Sequence, residues 1–243
     1  MAILRIVKVE TCLTIGRTPK RRGIGRIALV PIFTFGYFER PIEESVAMLV
    51  DAGIDVVVDV RSVPFSRRFA SYNRLDLRKT LRAARIRYLF LGEELGARRR
   101  EQECYVAGRA DYARIASLPL FRVGIARVTA GAASFRLALM CAERDPLECH
   151  RSILIGRCLF DMGADVRHLS APGEYESHPN AEIRLVTEEG TLTNESQLPM
   201  FGETASCSNP VVAAYKRRGE AIAYRLPTEA NGYRHDRIYR EIG

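Results

Sequence analysis

A chain of 243 residues with 47% hydrophobic and 27% charged side chains suits one medium domain with extensions, or two small ones. That balance, with 18 Gly and 11 Pro, excludes a collagen-like, low-complexity or wholly disordered polymer. The net charge of +8 is unevenly placed: residues 1–31 hold seven Lys/Arg against Glu10 alone.

No apolar run reaches the roughly 18 residues that would mark a membrane span. Arg5, Lys8 and Glu10 interrupt the first stretch, so no secretory leader is expected. Six cysteines without short paired spacing make no disulfide scaffold, and a reducing, cytoplasmic compartment is the expectation. The basic arm could follow a phosphate backbone, or it could be a solvated tail. Its apolar residues follow no helical period, which argues against an organelle transit peptide.

Strand and helix signals alternate through the body. Pro31–Phe35 is a short apolar run closed by Gly36, which predicts a strand. Pro41–Ala52 opens on Pro and two acids, carries apolar residues at 42, 46, 49 and 50, and stops at Gly53, the signature of an amphipathic helix. Asp55–Val60 is β-branched and nearly continuous, as in a strand covered on both faces. Asn73–Arg85 reads as a helix with Leu75, Leu77, Leu81 and Ala84 on its apolar side, and Ile86–Leu91 as the third strand.

Gly92–Glu103 reads as a charged loop, and Tyr105–Leu118 and Leu120–Ala130 as helices. Phe135–Cys141 is the fourth strand, and Leu147–Met162 a helix backed by Gly163. Asp165–Leu169 and Glu182–Val186 read as two short strands, and Val211–Arg217 as a modest helix. Strands alternating with helices imply right-handed crossovers, so the fold class is α/β: a three-layer sandwich with a mostly parallel sheet flanked by helices. The chain divides into a basic extension (1–31), the α/β domain (32–186), and a polar linker with a C-terminal extension (187–243).

In an open α/β sheet, ligands bind beyond the carboxyl ends of the strands. Thr34, Gly36 and Tyr37 follow the first strand there. Asp59, Arg61, Ser62, Ser66, Arg67, Arg68, Tyr72 and Asn73 follow the second. Glu93 and Glu94 follow the third, and Cys141 to Arg151 the fourth. In that last segment Pro146 suits the first turn of the next helix, which would bring Cys149, His150 and Arg151 into its opening turns. Amide donors and the helix field favour anions at such a place and lower a thiol pKa.

Asp59, Glu143, Cys149 and His150 are therefore the candidate catalytic groups. Thr34, Gly36, Tyr37, Arg61, Ser62, Arg67, Arg68, Tyr72, Asn73, Cys141 and Arg151 are candidates for substrate or anion binding. Tyr37 and Tyr72 could stack on a base or pack against the sheet. Cys141, Cys149, His150 and His168 are metal-ligand types. Their spacing is not that of a paired-cysteine site, and adjacent Cys149 and His150 would diverge on a helix, so no metal is expected.

Residues 32–186 resemble the domain-of-unknown-function family 488. The resemblance rests on Thr34-Phe35-Gly36-Tyr37, on Asp59-Val60-Arg61-Ser62 with Pro64, Ser66, Arg67 and Arg68, and on Tyr72-Asn73. It continues through Leu91-Gly92, Leu95-Gly96 and Cys141-Ala142-Glu143 with Pro146 and Cys149-His150-Arg151. It implies an α/β sandwich whose site is formed by these residues, and it implies no reaction or cofactor. The strand-Cys-loop-helix order is similar to rhodaneses and Cys-dependent phosphatases, which join Cys to Arg by a compact loop. Here nine residues separate Cys141 from Arg151 and one separates Cys149 from it, which argues against their mechanism.

Gln197-Leu198-Pro199-Met200-Phe201 resembles the peptide by which bacterial proteins dock on the DNA sliding clamp, through Gln197, Leu198, Met200 and Phe201. Three functions stay open. One is an enzyme acting on a nucleotide or nucleic acid, in DNA repair or base modification, recruited through the clamp. The second is a metabolic enzyme for a small anion. The third is a non-catalytic DNA-binding adaptor.

Overall fold

A computed structural model describes residues 30–190 and 209–227. In chain order the elements are β1 (Ile32–Gly36), α1 (Ile42–Asp51), β2 (Val56–Asp59), α2 (Arg74–Ala83), β3 (Arg87–Phe90), α3 (Gly92–Leu95), β4 (Tyr105–Val106) and β5 (Arg109–Ala110). There follow α4 (Tyr112–Ser117), α5 (Pro119–Ala132), β6 (Leu137–Cys141), a π-helical turn Arg151–Gly156, α6 (Arg157–Asp161), β7 (Val166–Ala171), β8 (Glu174–Ser177), α7 (His178–Glu188) and α8 (Pro210–Ile222).

Six strands form one sheet in the order β3-β2-β6-β1-β7-β8, parallel throughout except for β8, which runs antiparallel to β7. Strand period two sorts the side chains onto its faces. Phe33, Phe35, Val57, Ala138 and Met140 meet Met48 and Leu49 of α1 and Leu77 and Leu81 of α2. Ile32, Val56, Val58, Leu137, Leu139 and Cys141 meet Phe121, Ile125 and Val128 of α5 and Leu154 and Ile155 of the π turn. Each of these large side chains adds about 1.5–3 kcal/mol by leaving water. The three-layer α/β sandwich is present as expected, and β1, β2 and β6 are buried over their full lengths. No helix among the described residues is long and apolar enough to cross a membrane.

Several local expectations are corrected. The buried side of α1 is Ser45, Met48 and Leu49, while Val50 is exposed, and on α2 Leu75 points to solvent. The Gly92–Glu103 loop contains the helix α3. Tyr105–Leu118 is not one helix: β4 and β5 form a two-stranded hairpin through Ala107 and Gly108, both with positive φ, before α4 begins. Two successive positive φ values fit the primed hairpin turn, a demand that a helix-favouring Ala does not announce.

Glu182–Val186 belongs to α7 rather than to a strand. Ser177 accepts from the Asn180 amide and Pro179 opens the helix, so capping overrides the β-branched run. The antiparallel edge strand is instead β8. Helix α8 packs Ala214 against Leu147, Ile153, Ala181 and Leu185 and so closes a third apolar cluster. The basic arm up to residue 29 and the clamp-like segment 197–201 lie outside the described residues.

Candidate functional site

The central strand β6 delivers Cys141 to the carboxyl edge of the sheet, in register with Gly36 of β1. Two bonds beyond the strands tie the edge together: Tyr37 N–H donates to Cys141 O at 3.3 Å, and Phe38 N–H to Ala142 O at 2.8 Å. An alanine methyl placed on Gly36 would sit 1.7 Å from Glu143 O, so only glycine lets the loop after β6 cross β1 this closely. Asp145 accepts from the Leu147 amide at 2.8 Å and starts a single 3-10 turn, Pro146–Glu148.

The chain then departs from the expected continuous helix. Cys149 is extended (φ −140°, ψ 138°), and only from His150 onward does the backbone coil, first as the π turn and then as α6. Cys149 and His150 therefore do not diverge. Cys141 Sγ, Cys149 Sγ and a ring nitrogen of His150 lie within 4.8 Å of one another. His150 Nδ1 is 3.7 Å from the first sulfur and 3.8 Å from the second. Glu143 Oε2 completes the group at 3.2 Å from Cys141 Sγ and 2.9 Å from Cys149 Sγ. Three members are buried, and Glu143, on the exposed loop, covers them from the solvent side.

The electrostatics of the group follow from dryness and crowding. Burial raises the Glu143 carboxyl, and Cys149 raises it further. Burial also opposes a Cys149 thiolate, but the hydrogen bond from Cys141 and the charges of Arg151 and His150 outweigh it and hold that thiol below its ordinary value. Cys141, sharing that hydrogen bond in the same dry space, is held above its own. Of the two thiols, Cys149 is the more readily ionised.

The arginines that the sequence nominates divide into two kinds. Arg151 is fully buried and donates to Glu143 O at 2.5 Å and Arg144 O at 2.9 Å, clamping the loop that carries the carboxylate. Arg61 is also buried. It forms a forked pair with Asp59 and donates to Tyr37 Oη at 3.0 Å and Tyr72 O at 2.9 Å. Burial works against the Arg61 charge, but Asp59 outweighs it and holds the guanidinium above its usual value. Asp59 takes a further bond from Tyr88 Oη at 2.7 Å. These groups build the floor of the site.

Tyr37 and Tyr72 stack on each other with ring centres 4.2 Å apart, and both are buried, so they pack against the sheet rather than offering a face to a ligand. Thr34 donates to or accepts from His168 Nδ1 at 2.8 Å. Ser62 Oγ accepts from the Arg98 amide, and Asn73 Oδ1 from the Ser66 amide.

Arg67 and Arg68 are exposed on the loop after β2. The Arg68 guanidinium lies 5.1 Å from the Phe38 ring centre and 5.3 Å from that of Phe69, and it pairs with Glu39. Phe38 and Phe65 escaped the sequence reading. Phe38 and Phe65 are 40% and 54% exposed, and no pattern distinguishes an aromatic left in water from one bound for the core.

Residues 41–158 match the family described as Domain of unknown function DUF488. The match runs from α1 through the first residues of α6 and so includes Cys141, Glu143, Cys149 and His150. No curated protein and no solved structure matches the chain.

Proposed function

With residues 41–158 belonging to the DUF488 family, whose function is unknown, we propose that this chain is an enzyme acting on a nucleotide or nucleic-acid substrate. The reacting end is the Cys141, Glu143, Cys149 and His150 group, and the binding end is the rim beside it. The observation that carries this reading is the Phe38–Arg68 pair: a part-exposed aromatic ring with a cation over it, one strand-end away from the thiol group through the Phe38–Ala142 hydrogen bond. Aromatic faces accept unpaired bases by stacking, and nearby Arg side chains grip phosphate. Arg67 and Arg144 extend the positive rim, and the basic arm of residues 1–31 supplies further backbone-tracking charge. Clamp docking through Gln197, Leu198, Met200 and Phe201, and with it a repair or base-modification setting, belongs to the same reading.

The test is fluorescence anisotropy with a labelled single-stranded oligonucleotide, titrated at several salt concentrations against the full chain and Arg68→Ala. Binding that weakens in the variant, with a salt slope shallower by about 1, supports the proposal. Binding that ignores Arg68→Ala but vanishes when residues 1–31 are removed turns the protein into a tethered adaptor. No oligonucleotide binding, together with thermal stabilisation by a small phosphorylated or carboxylated compound, replaces the reading with a metabolic enzyme.

A further inference from the structure

The four groups at the end of β6 also have the dimensions of a metal site. Zinc bonds to thiolate sulfur at about 2.3 Å and to imidazole nitrogen at about 2.0–2.1 Å in a tetrahedron, which sets a sulfur–nitrogen edge of about 3.6 Å. The two such edges here are 3.7 Å and 3.8 Å. The sulfur–carboxylate edges, 3.2 Å and 2.9 Å, are those of hydrogen-bonded contacts and need only to open by a few tenths of an ångström.

A second, independent observation concerns the far side of the imidazole. His150 Nε2 lies 3.1 Å from Val60 O, and a carbonyl can only accept, so Nε2 carries the proton. In the neutral ring, Nδ1 is then left with its lone pair directed toward both sulfurs. Fixing the ring by a bond from its other nitrogen to a backbone carbonyl is how metal-ligating histidines are oriented. The Cys149 sulfur is in turn approached by the Arg151 amide at 3.5 Å.

We propose that Cys141, Cys149, His150 and Glu143 bind one divalent metal ion of the zinc class. Two thiolates and one imidazole are the fixed ligands, and Glu143 takes the fourth position. Binding releases the two thiol protons to solvent and leaves the thiols unoxidised. The ion with two thiolates and one carboxylate carries one net negative charge, which the buried Arg151 guanidinium behind the loop offsets. Soft sulfur with imidazole selects zinc or ferrous iron over magnesium or calcium. Glu143 stands on an exposed loop, so it is the ligand that water or substrate can displace, and the site has the three-plus-one plan of a catalytic centre. This inference is independent of nucleic-acid binding, and its test reads only the ion.

The full chain, purified under reducing conditions, is analysed for bound metal and then titrated with cobalt(II) after chelation. About one equivalent of metal per chain, with thiolate-to-cobalt charge-transfer bands and the intense visible bands of tetrahedral cobalt, is expected. Cys149→Ser and Cys141→Ser should each cut the thiolate bands by about half or more, while Cys104→Ser should leave them unchanged. Glu143→Gln should keep the bound ion and shift the visible bands. Circular dichroism and the melting temperature of each variant separate a lost ligand from a lost fold. A folded wild-type chain that binds neither zinc nor cobalt overturns the proposal. So does isolation of a Cys141–Cys149 disulfide from protein purified without reductant that, once reduced, still takes up no metal.

Discussion

His168 Nε2 and His178 Nδ1 lie 3.0 Å apart, both rings buried where β7 faces the start of α7. The pair is the middle of a longer chain. Thr34 Oγ1 meets His168 Nδ1 at 2.8 Å, and His178 Nε2 meets Tyr215 Oη of α8 at 3.0 Å. A neutral imidazole has one N–H and one lone pair, so every link is satisfied when both rings are neutral and all donors point the same way along the chain. A single added proton can sit where a ring meets a hydroxyl, which turns to accept it, but protonating both rings leaves two N–H donors facing each other across the His168–His178 contact.

Burial, with the Arg157 charge, lowers His178 from 6.5 to about 4, and burial with His178, Arg151 and Arg184 holds His168 well below its ordinary value. The unfolded chain therefore takes up protons that the native chain refuses. The pair's contribution to stability is level above about pH 6.5 and falls as the pH drops toward about 4, by roughly 1.4 kcal/mol per pH unit for each imidazole involved. Urea unfolding between pH 8 and pH 4.5 measures this. His178→Asn should lower stability at pH 8 and flatten the decline.

The close passage of Gly36 under Glu143 O predicts that Gly36→Ala destabilises the fold by about 1–3 kcal/mol, because the obstacle at 1.7 Å is backbone rather than a movable side chain. The urea midpoint reads the loss. An unchanged midpoint would mean that the loop after β6 can move away without strain.

Asp59 is fully buried, with Arg61 and Tyr88 as its partners. Asp59→Ala leaves the Arg61 cation in a dry interior without its counter-charge, and about 3–5 kcal/mol of stability should go with it. Arg68→Ala removes an ion pair to Glu39 between two well-exposed side chains and should change stability by less than about 1 kcal/mol. Parallel denaturation of the two variants makes the comparison.

Phe38→Ala should weaken oligonucleotide binding by about 1–3 kcal/mol while leaving the salt slope unchanged, since stacking releases no counterions. Arg68→Ala should also weaken binding, but with a salt slope shallower by about 1. Equal slopes in both variants would detach the rim from the phosphate backbone.

The sequence by itself determined the sandwich. Continuous β-branched or apolar runs such as Val56–Val58 and Leu137–Cys141, bounded by turn residues, read as strands covered on both faces, and parallel strands need helical crossovers between them. It also marked the segment where the ionisable groups gather, because the carboxyl edge follows from that topology. It could not separate the floor of the site from its rim. Arg61, Arg67, Arg68 and Arg151 look alike in sequence, yet two are enclosed by acceptors that the fold brings to them and two stand in water.

Nor could sequence spacing show that Cys141, Cys149 and His150 converge. That depends on one residue, Cys149, remaining extended, and on Val60 receiving the His150 N–H from ninety residues away. Local propensity acts through neighbouring backbone, whereas these placements are set by side chains packed between strands that are distant in sequence. They exist only once the sheet has assembled.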